Sequence, residues 1–201
     1  MLRVMQRICW NTRGWKLPSG STYEGGFPGE KGFGHEEWNF QLSDEYNGYI
    51  FPYTYKTPQT KKLNDNNGKF SIGFFSIHPE TKESIIIGIH HDAELITEDE
   101  YSSIINYFED KKLFDRRANE LLVACNSFEN YDAALEEVRD GFRKKWIRVK
   151  CKVTNVEQLS IPIIIPKPAS HRFTRFSYVD DFPDITQDNL LGSKKTICSC
   201  R

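Results

Sequence analysis

Phe70-Ser71-Ile72-Gly73-Phe74-Phe75-Ser76-Ile77-His78, Pro79-Glu80-Thr81-Lys82-Glu83 and Ser84-Ile85-Ile86-Ile87-Gly88-Ile89-His90 follow one another and decide the fold class. Two β-prone runs enclose a turn-forming stretch, which predicts a hairpin. Ile85-Ile86-Ile87 is an unbroken apolar run, as expected of a strand covered on both faces. Downstream the spacing becomes helical. Thr97-Glu98-Asp99-Glu100 reads as a capping box, the threonine taking the third amide and Glu100 reaching back to the cap amide. It predicts a helix over about 98–112, with Ile104, Ile105 and Phe108 as its apolar stripe. A second helix is expected over 113–126, with Ala118, Leu121 and Leu122 inward. A third follows Asn130 as N-cap, with Ala134, Leu135, Val138 and Phe142 at helical spacing. Beyond it, Trp146 to Val153 alternates: Ile147, Val149, Cys151 and Val153 face one way, Arg148, Lys150 and Lys152 the other.

The remaining strands are shorter. Residues 1–9 read as a strand entering the fold, and Asn47-Gly48 as a turn within the β-prone stretch Tyr46–Tyr55. Leu63–Lys69 is a turn by composition. Ile161–Ile165, interrupted by Pro162, reads as a strand near an edge. Strands at both ends with helices between them predict an α+β domain over residues 1–180, built on a curved or barrel-like sheet with about three flanking helices. Residues 181–201 read as a loosely ordered tail. A doubly wound dinucleotide fold would need regular β–α alternation and a glycine fingerprint, and neither is present.

The formal net charge is −1, which excludes a generally cationic binder; any nucleic-acid site must be a local patch. No apolar run approaches the roughly 20 residues needed to span a bilayer, and the first residues lack a signal-type apolar core. The five cysteines have no framework spacing, so reduced thiols in a cytoplasm are expected. Cys198-x-Cys200 alone does not make a zinc site. No metal or cofactor is expected.

Three of the four tryptophans lie in the first 38 residues, among Gly, Pro and polar side chains. Cys9-Trp10-Asn11, Trp15 and Lys31-Gly32-Phe33-Gly34-His35-Glu36-Glu37-Trp38-Asn39-Phe40 follow no helical or strand period. Each ring alone is compatible with a core position. As a group they suggest a pocket, with flat faces for a planar polar ligand and hydrogen bonds from His, Glu and Asn. The run Arg143, Lys144, Lys145, Arg148, Lys150 and Lys152 reads as a phosphate-tracking face set against an acidic region at Asp92, Glu94, Glu98, Asp99 and Glu100, or as a solvated strand face and a helix C-terminus. His171-Arg172-Phe173-Thr174-Arg175-Phe176-Ser177-Tyr178 suits stacking and phosphate contact, or an edge strand with Phe173 and Phe176 inward. His35-Glu36-Glu37 lacks the second histidine of the H-E-x-x-H zinc pattern, and His90-His91-Asp92 presents at most one ring to any strand face. No nucleophile elbow or phosphate loop occurs.

Cys9-Trp10-Asn11-x-x-x-Trp15-x-x-Pro18-Ser19-Gly20, Phe33-Gly34-His35-Glu36-Glu37-Trp38-Asn39-Phe40 and Gly48-Tyr49 resemble the recognition domain of McrA-like, modification-dependent restriction endonucleases. Those enzymes join a DNA reader similar to the SRA/EVE group of the PUA superfamily to an H-N-H nuclease. The resemblance is clearest over about residues 5–55, weaker over 146–178, and absent in the tail. It implies a PUA-like barrel that flips a modified base, such as a methylated or hydroxymethylated cytosine, out of duplex DNA into an aromatic pocket. Trp10, Trp15, Phe33 and Trp38 would be pocket walls, with Asn11, His35 and Glu36 as polar readers. Arg148, Lys150, Lys152, Arg172 and Arg175 would hold the backbone. No H-N-H segment can be placed in these residues, which implies a stand-alone reader in defence against foreign DNA, one working beside a separate nuclease, or one whose cutting domain was lost. Two alternatives are an RNA- or nucleotide-binding barrel and an enzyme acting on a nucleobase through His35 and Glu36. A protein-interaction domain with an acidic face around 92–110 is a further one.

Overall fold

A computed structural model describes residues 1–20, 26–165 and 174–182. The predicted hairpin is its centre. Strands β3 (Lys69–Ile77) and β4 (Ser84–Leu95) pair antiparallel, with register slips between Phe70 and Ile72 and between Phe74 and Phe75. Such slips bend a strand pair and raise its twist. Ile85, Ile86 and Ile87 are all within 1% of complete burial, as a strand covered on both faces requires. β1 (Leu2–Arg7) lies parallel to β3, and β7 (Phe176–Val179) closes on β1 from the other side, antiparallel. On the far edge of β4, β6 (Val156–Ile164) covers Ile85–His90 and β5 (Val149–Lys152) covers Glu94–Leu95. A short β2 (Tyr49–Ile50) pairs with β5.

The path is β2-β5-β4-β3-β1-β7, with β6 also against β4. Among the described residues the sheet is open; the expected closure into a barrel is not made, because β2 and β7 are not paired with each other. The α+β class stands.

The three predicted helices are α3 (Glu98–Asp110), α4 (Leu113–Ala124) and α5 (Tyr131–Arg143). The local signals that start them are visible. Glu100 Oε2 accepts the Thr97 amide at 2.8 Å and the Thr97 hydroxyl at 2.9 Å, and Asn130 Oδ1 accepts the Ala133 amide at 2.9 Å. Two further short helices, α1 (Gly26–Lys31) and α2 (Thr60–Asn64), were not expected, so the described residues hold five α-helices where about three were predicted. Asn47 and Gly48 have φ of 53° and 78°, and Tyr46 and Tyr49 exchange backbone bonds at 2.9 and 3.0 Å. That is a two-residue hairpin turn with both central φ positive.

One apolar core joins the helices through Phe108, Phe114, Ala118, Leu121, Val138 and Phe142. A second lies on one face of the sheet around Val4, Phe70, Ile72, Phe74, Ile87 and Val149. The opposite face is covered by Met5, Phe75, Ile86, Ile89 and Ile165. Phe33 and Trp38 belong to the helical core and Phe40 to the sheet core, so the segment 33–40 stitches the two together.

Candidate functional site

The chain leaves β1 at Arg7 and turns tightly through residues 9–17. Asn11 shapes that turn with its whole side chain. Its Oδ1 accepts the amides of Arg13 at 2.6 Å and Trp15 at 2.9 Å, and its Nδ2 donates to the Leu17 carbonyl at 2.8 Å. Two of these bonds need a side-chain acceptor and the third a donor, and an Asn amide supplies both. Gly14, at φ +67°, turns its carbonyl onto Gln158 Nε2 at 2.7 Å. Trp15 also sits at positive φ, 53°, which is unusual for a bulky residue. Burial and three bonds hold it there: its amide to Asn11, its indole N–H to the Cys9 carbonyl at 2.8 Å, and its carbonyl from the Phe40 amide at 2.9 Å.

Between this turn and β6 lies a cleft of about 440 Å³. Trp10 and Trp15 wall it, Ile87, Leu159 and Pro162 supply apolar surface, and Thr12, Lys16, Gln158 and Ser160 supply polar groups. Trp10 is half-buried and meets the Trp15 and His78 rings edge-on at 6.0 and 4.7 Å between centroids. The Gly14 carbonyl can only accept, which fixes the orientation of the Gln158 amide and leaves Oε1 as its acceptor end.

The segment 33–40 supports this turn instead of lining the same cavity. It forms a short 3-10 turn over His35–Trp38, whose four residues are all buried. Glu36 Oε1 accepts the Cys9 amide at 3.1 Å, and Glu37 Oε2 accepts the Ser19 amide at 2.7 Å. A Cβ on Gly34 would come within 2.8 Å of the Glu36 carboxyl and 2.9 Å of Cys9 Sγ, so glycine is what lets the segments approach. Asn39 brackets the Tyr53 backbone, donating to its carbonyl at 3.0 Å and accepting its amide at 2.8 Å. Trp38 donates to Glu120 Oε2 at 2.7 Å, and the Arg117 guanidinium lies 4.9 Å from its ring centroid. Arg117 is itself held by Asp44 at 2.7 Å, and Arg116 binds the other oxygen of the same carboxylate. Burial alone would raise the Asp44 carboxyl; the two guanidiniums outweigh it and hold it below its ordinary range.

His35 stacks between Phe27 and Tyr53, at 5.6 and 5.9 Å, with Phe33 and Trp146 edge-on. Its Nε2 lies 3.8 Å from Glu137, whose carboxyl is lowered first by that histidine and then by Lys31. The sequence grouped Trp10, Asn11, Trp15, Phe33, His35, Glu36 and Trp38 as one pocket. The structure puts Trp10, Asn11 and Trp15 at the cleft and turns Phe33, His35, Glu36 and Trp38 into the protein.

The basic run is largely neutralised. Arg143 pairs with Glu136, Lys144 with Asp140 and Lys145 with Glu98. Lys150 is mostly buried between Glu100 and Glu94. The expected basic face set against an opposite acidic region is therefore corrected: β5 pairs with the end of β4 and α3 follows β4, so the two charge runs are neighbours. Arg148 and Lys152 remain exposed, and Arg175 is exposed beside the Tyr55 ring, 4.1 Å from its centroid. Phe176 packs toward the sheet core, as the edge-strand alternative expects. Arg172, His171, Phe173 and the Cys198–Cys200 tail lie outside the described residues.

Among the described residues no three His, Cys, Asp or Glu side chains converge as a metal site would require. His90 is completely buried between Phe40 and Phe74, and burial pulls its pKa down to about 3. Cys125 and Cys151 are buried thiols raised to about 11 and about 12 by desolvation. No described helix is long and apolar enough to cross a membrane. No family model, curated protein or solved structure matches this chain. Sequence reasoning missed Lys16, Gln158 and Ser160; the only forward signal was a loop glycine at position 14, which says nothing of its partner 144 residues away.

Proposed function

We propose that this chain is a DNA-binding module that reads a modified base, taken out of the duplex into the cleft at Trp10. The observation that carries the reading is the composition of that cleft: an indole wall and apolar surface beside a rim of amide, hydroxyl and ammonium groups. A nucleobase is complementary to this, with a flat apolar face and a polar edge. The volume falls within the usual range for small-ligand sites, about 300–1,000 Å³. Base–aromatic stacking contributes about 1–3 kcal/mol per base, comparable to the few kcal/mol that unstacking costs. Gln158 Oε1 suits the exocyclic amine of cytosine, a donor. Lys16 is placed to meet a phosphate beside the cleft. The similarity of the Cys9–Gly20 and Phe33–Phe40 strings to SRA/EVE-type readers supports the same reading, in which the curved sheet is a PUA-like barrel left open. His35 is buried among aromatic rings and Glu36 is spent on the Cys9 amide, so neither faces the cleft, which favours a reader over an enzyme using that pair.

The test is equilibrium binding, at two salt concentrations, to matched duplexes carrying cytosine, 5-methylcytosine, 5-hydroxymethylcytosine or its glucosylated form. Tighter binding to one modified duplex is expected. Equal and strongly salt-dependent binding to all four would reduce the activity to the exposed cations. A preference for single-stranded RNA would replace DNA as the ligand.

A further inference from the structure

A second cavity, of about 310 Å³, lies on another part of the molecule between the Asn47-Gly48 turn and the first turns of α3. Phe51 and Ile104, both buried, form its apolar lining. Tyr46 and Tyr49 are directly opposed across the tight turn, so their side chains share a face. Tyr46 is braced by the Tyr107 ring of α3 at 4.6 Å. Asp99 and Ser103, one helical turn apart and exposed, stand at the rim. One end is closed by Lys150, whose ammonium lies 5.4 Å from the Tyr49 ring centroid while it binds Glu100. The molecule thus already rests one of its own ammonium groups on this aromatic wall.

The geometry points to a binding site for an amphipathic organic cation, an alkylammonium with the stem and charge of a lysine side chain. The stem would lie on Phe51 and Ile104 and the charge between Tyr46 and Asp99. Tyrosine faces attract such a cation, and attract it more once it is desolvated. The local charge agrees. Among the described lining residues Lys150 is the one cation, against the carboxylates of Asp99 and Glu100, and Glu94 lies beyond it at 3.9 Å. Glu100 is consumed by Thr97 and Lys150, which leaves Asp99 as the carboxylate for a ligand. This site gives the acidic stretch 92–100 a role that the base-reading proposal does not use, and neither depends on the other.

The experiment is amide chemical-shift titration of the whole chain with pentylammonium, capped lysine amide, capped trimethyllysine amide and the uncharged capped norleucine amide. Shifts confined to residues 46–51 and 99–104 are expected, with the cations binding about tenfold tighter than norleucine. Asp99→Asn is expected to weaken the cations roughly threefold and leave norleucine unchanged. Capped lysine binding tighter than pentylammonium would assign the ligand to a polypeptide; equal affinities would assign it to a free amine. No shift at these residues at about 10 mM probe, equal binding of norleucine, or an unaltered cation affinity in Asp99→Asn would each overturn the assignment.

Discussion

The turn at residues 9–17 and the segment at 33–40 share a vocabulary of tryptophan, glycine and amide-bearing residues, yet the fold uses them oppositely. In 33–40 the side chains point into two cores, and the carboxylates of Glu36 and Glu37 are spent on the amides of Cys9 and Ser19. In 9–17 Asn11 is spent on its own backbone, while Trp10, Thr12 and Lys16 are left at a cleft. One segment is the support and the other is what it supports. A conspicuous string of aromatic and acidic residues is therefore poor evidence of contact with a ligand. The informative distinction is whether its side chains turn into a core or toward a cleft.

The sharpest way to break this comparison is Trp38→Ala. The substitution empties a buried site in the helical core, removes the donor to Glu120 Oε2, leaving that carboxylate to Arg116, and removes the ring beside Arg117. A loss of about 3–5 kcal/mol is expected, the range for large aromatic truncations in a core. Denaturant unfolding measures it. A loss below about 1 kcal/mol would show that the segment is not the stitch between the cores.

The next effect separates the sheet core from the helical one by pH. His90 lies neutral between Phe40 and Phe74, with its pKa held at about 3 against 6.5 for the free group. The unfolded chain binds that proton first, so stability is full above pH 6.5 and falls as pH drops toward 3. The slope approaches about 1.4 kcal/mol per unit. Asp44, Glu100 and Glu137 are carboxylates held below their ordinary values of 3.8, 4.5 and 4.5, so their contributions are lost only at lower pH. Stability measured between pH 5 and 7 is therefore expected to slope in the native chain and to flatten in His90→Leu. An unchanged slope would assign the acid sensitivity elsewhere.

What could be read in the sequence was what local chemistry dictates. The 70–90 hairpin, the Thr97–Glu100 box and the Asn130 cap depend on residues a few positions apart, and each stands as expected. Pairings over long separations left no such trace. Nothing in Lys150 announces Glu100, fifty residues earlier, and the charge run that looked like an open phosphate track is in large part a set of internal ion pairs. The same gap explains the site. Trp10 and Trp38 are indistinguishable as letters; the helices, distant in sequence, bury one in their core, and β4 and β6 give the other a cleft.

The smallest effect on stability, and the most informative on function, is expected from Trp10→Ala. Trp10 is half-buried at the cleft, so unfolding should shift by only about 1 kcal/mol. Loss of a stacking face should weaken binding to the preferred modified duplex by about 1–3 kcal/mol, roughly 5- to 150-fold. Trp10→Phe, which keeps a ring, should recover much of it. Lys16→Ala should act differently, lowering affinity alike for modified and unmodified duplexes and reducing the salt slope by about one phosphate contact. If both Trp10 variants fold and bind like the native chain, the cleft is not where a base is read. If Trp10→Ala loses discrimination while Lys16→Ala keeps it, reading and holding are separate tasks carried by adjacent residues of one turn, which the buried segment 33–40 keeps in place.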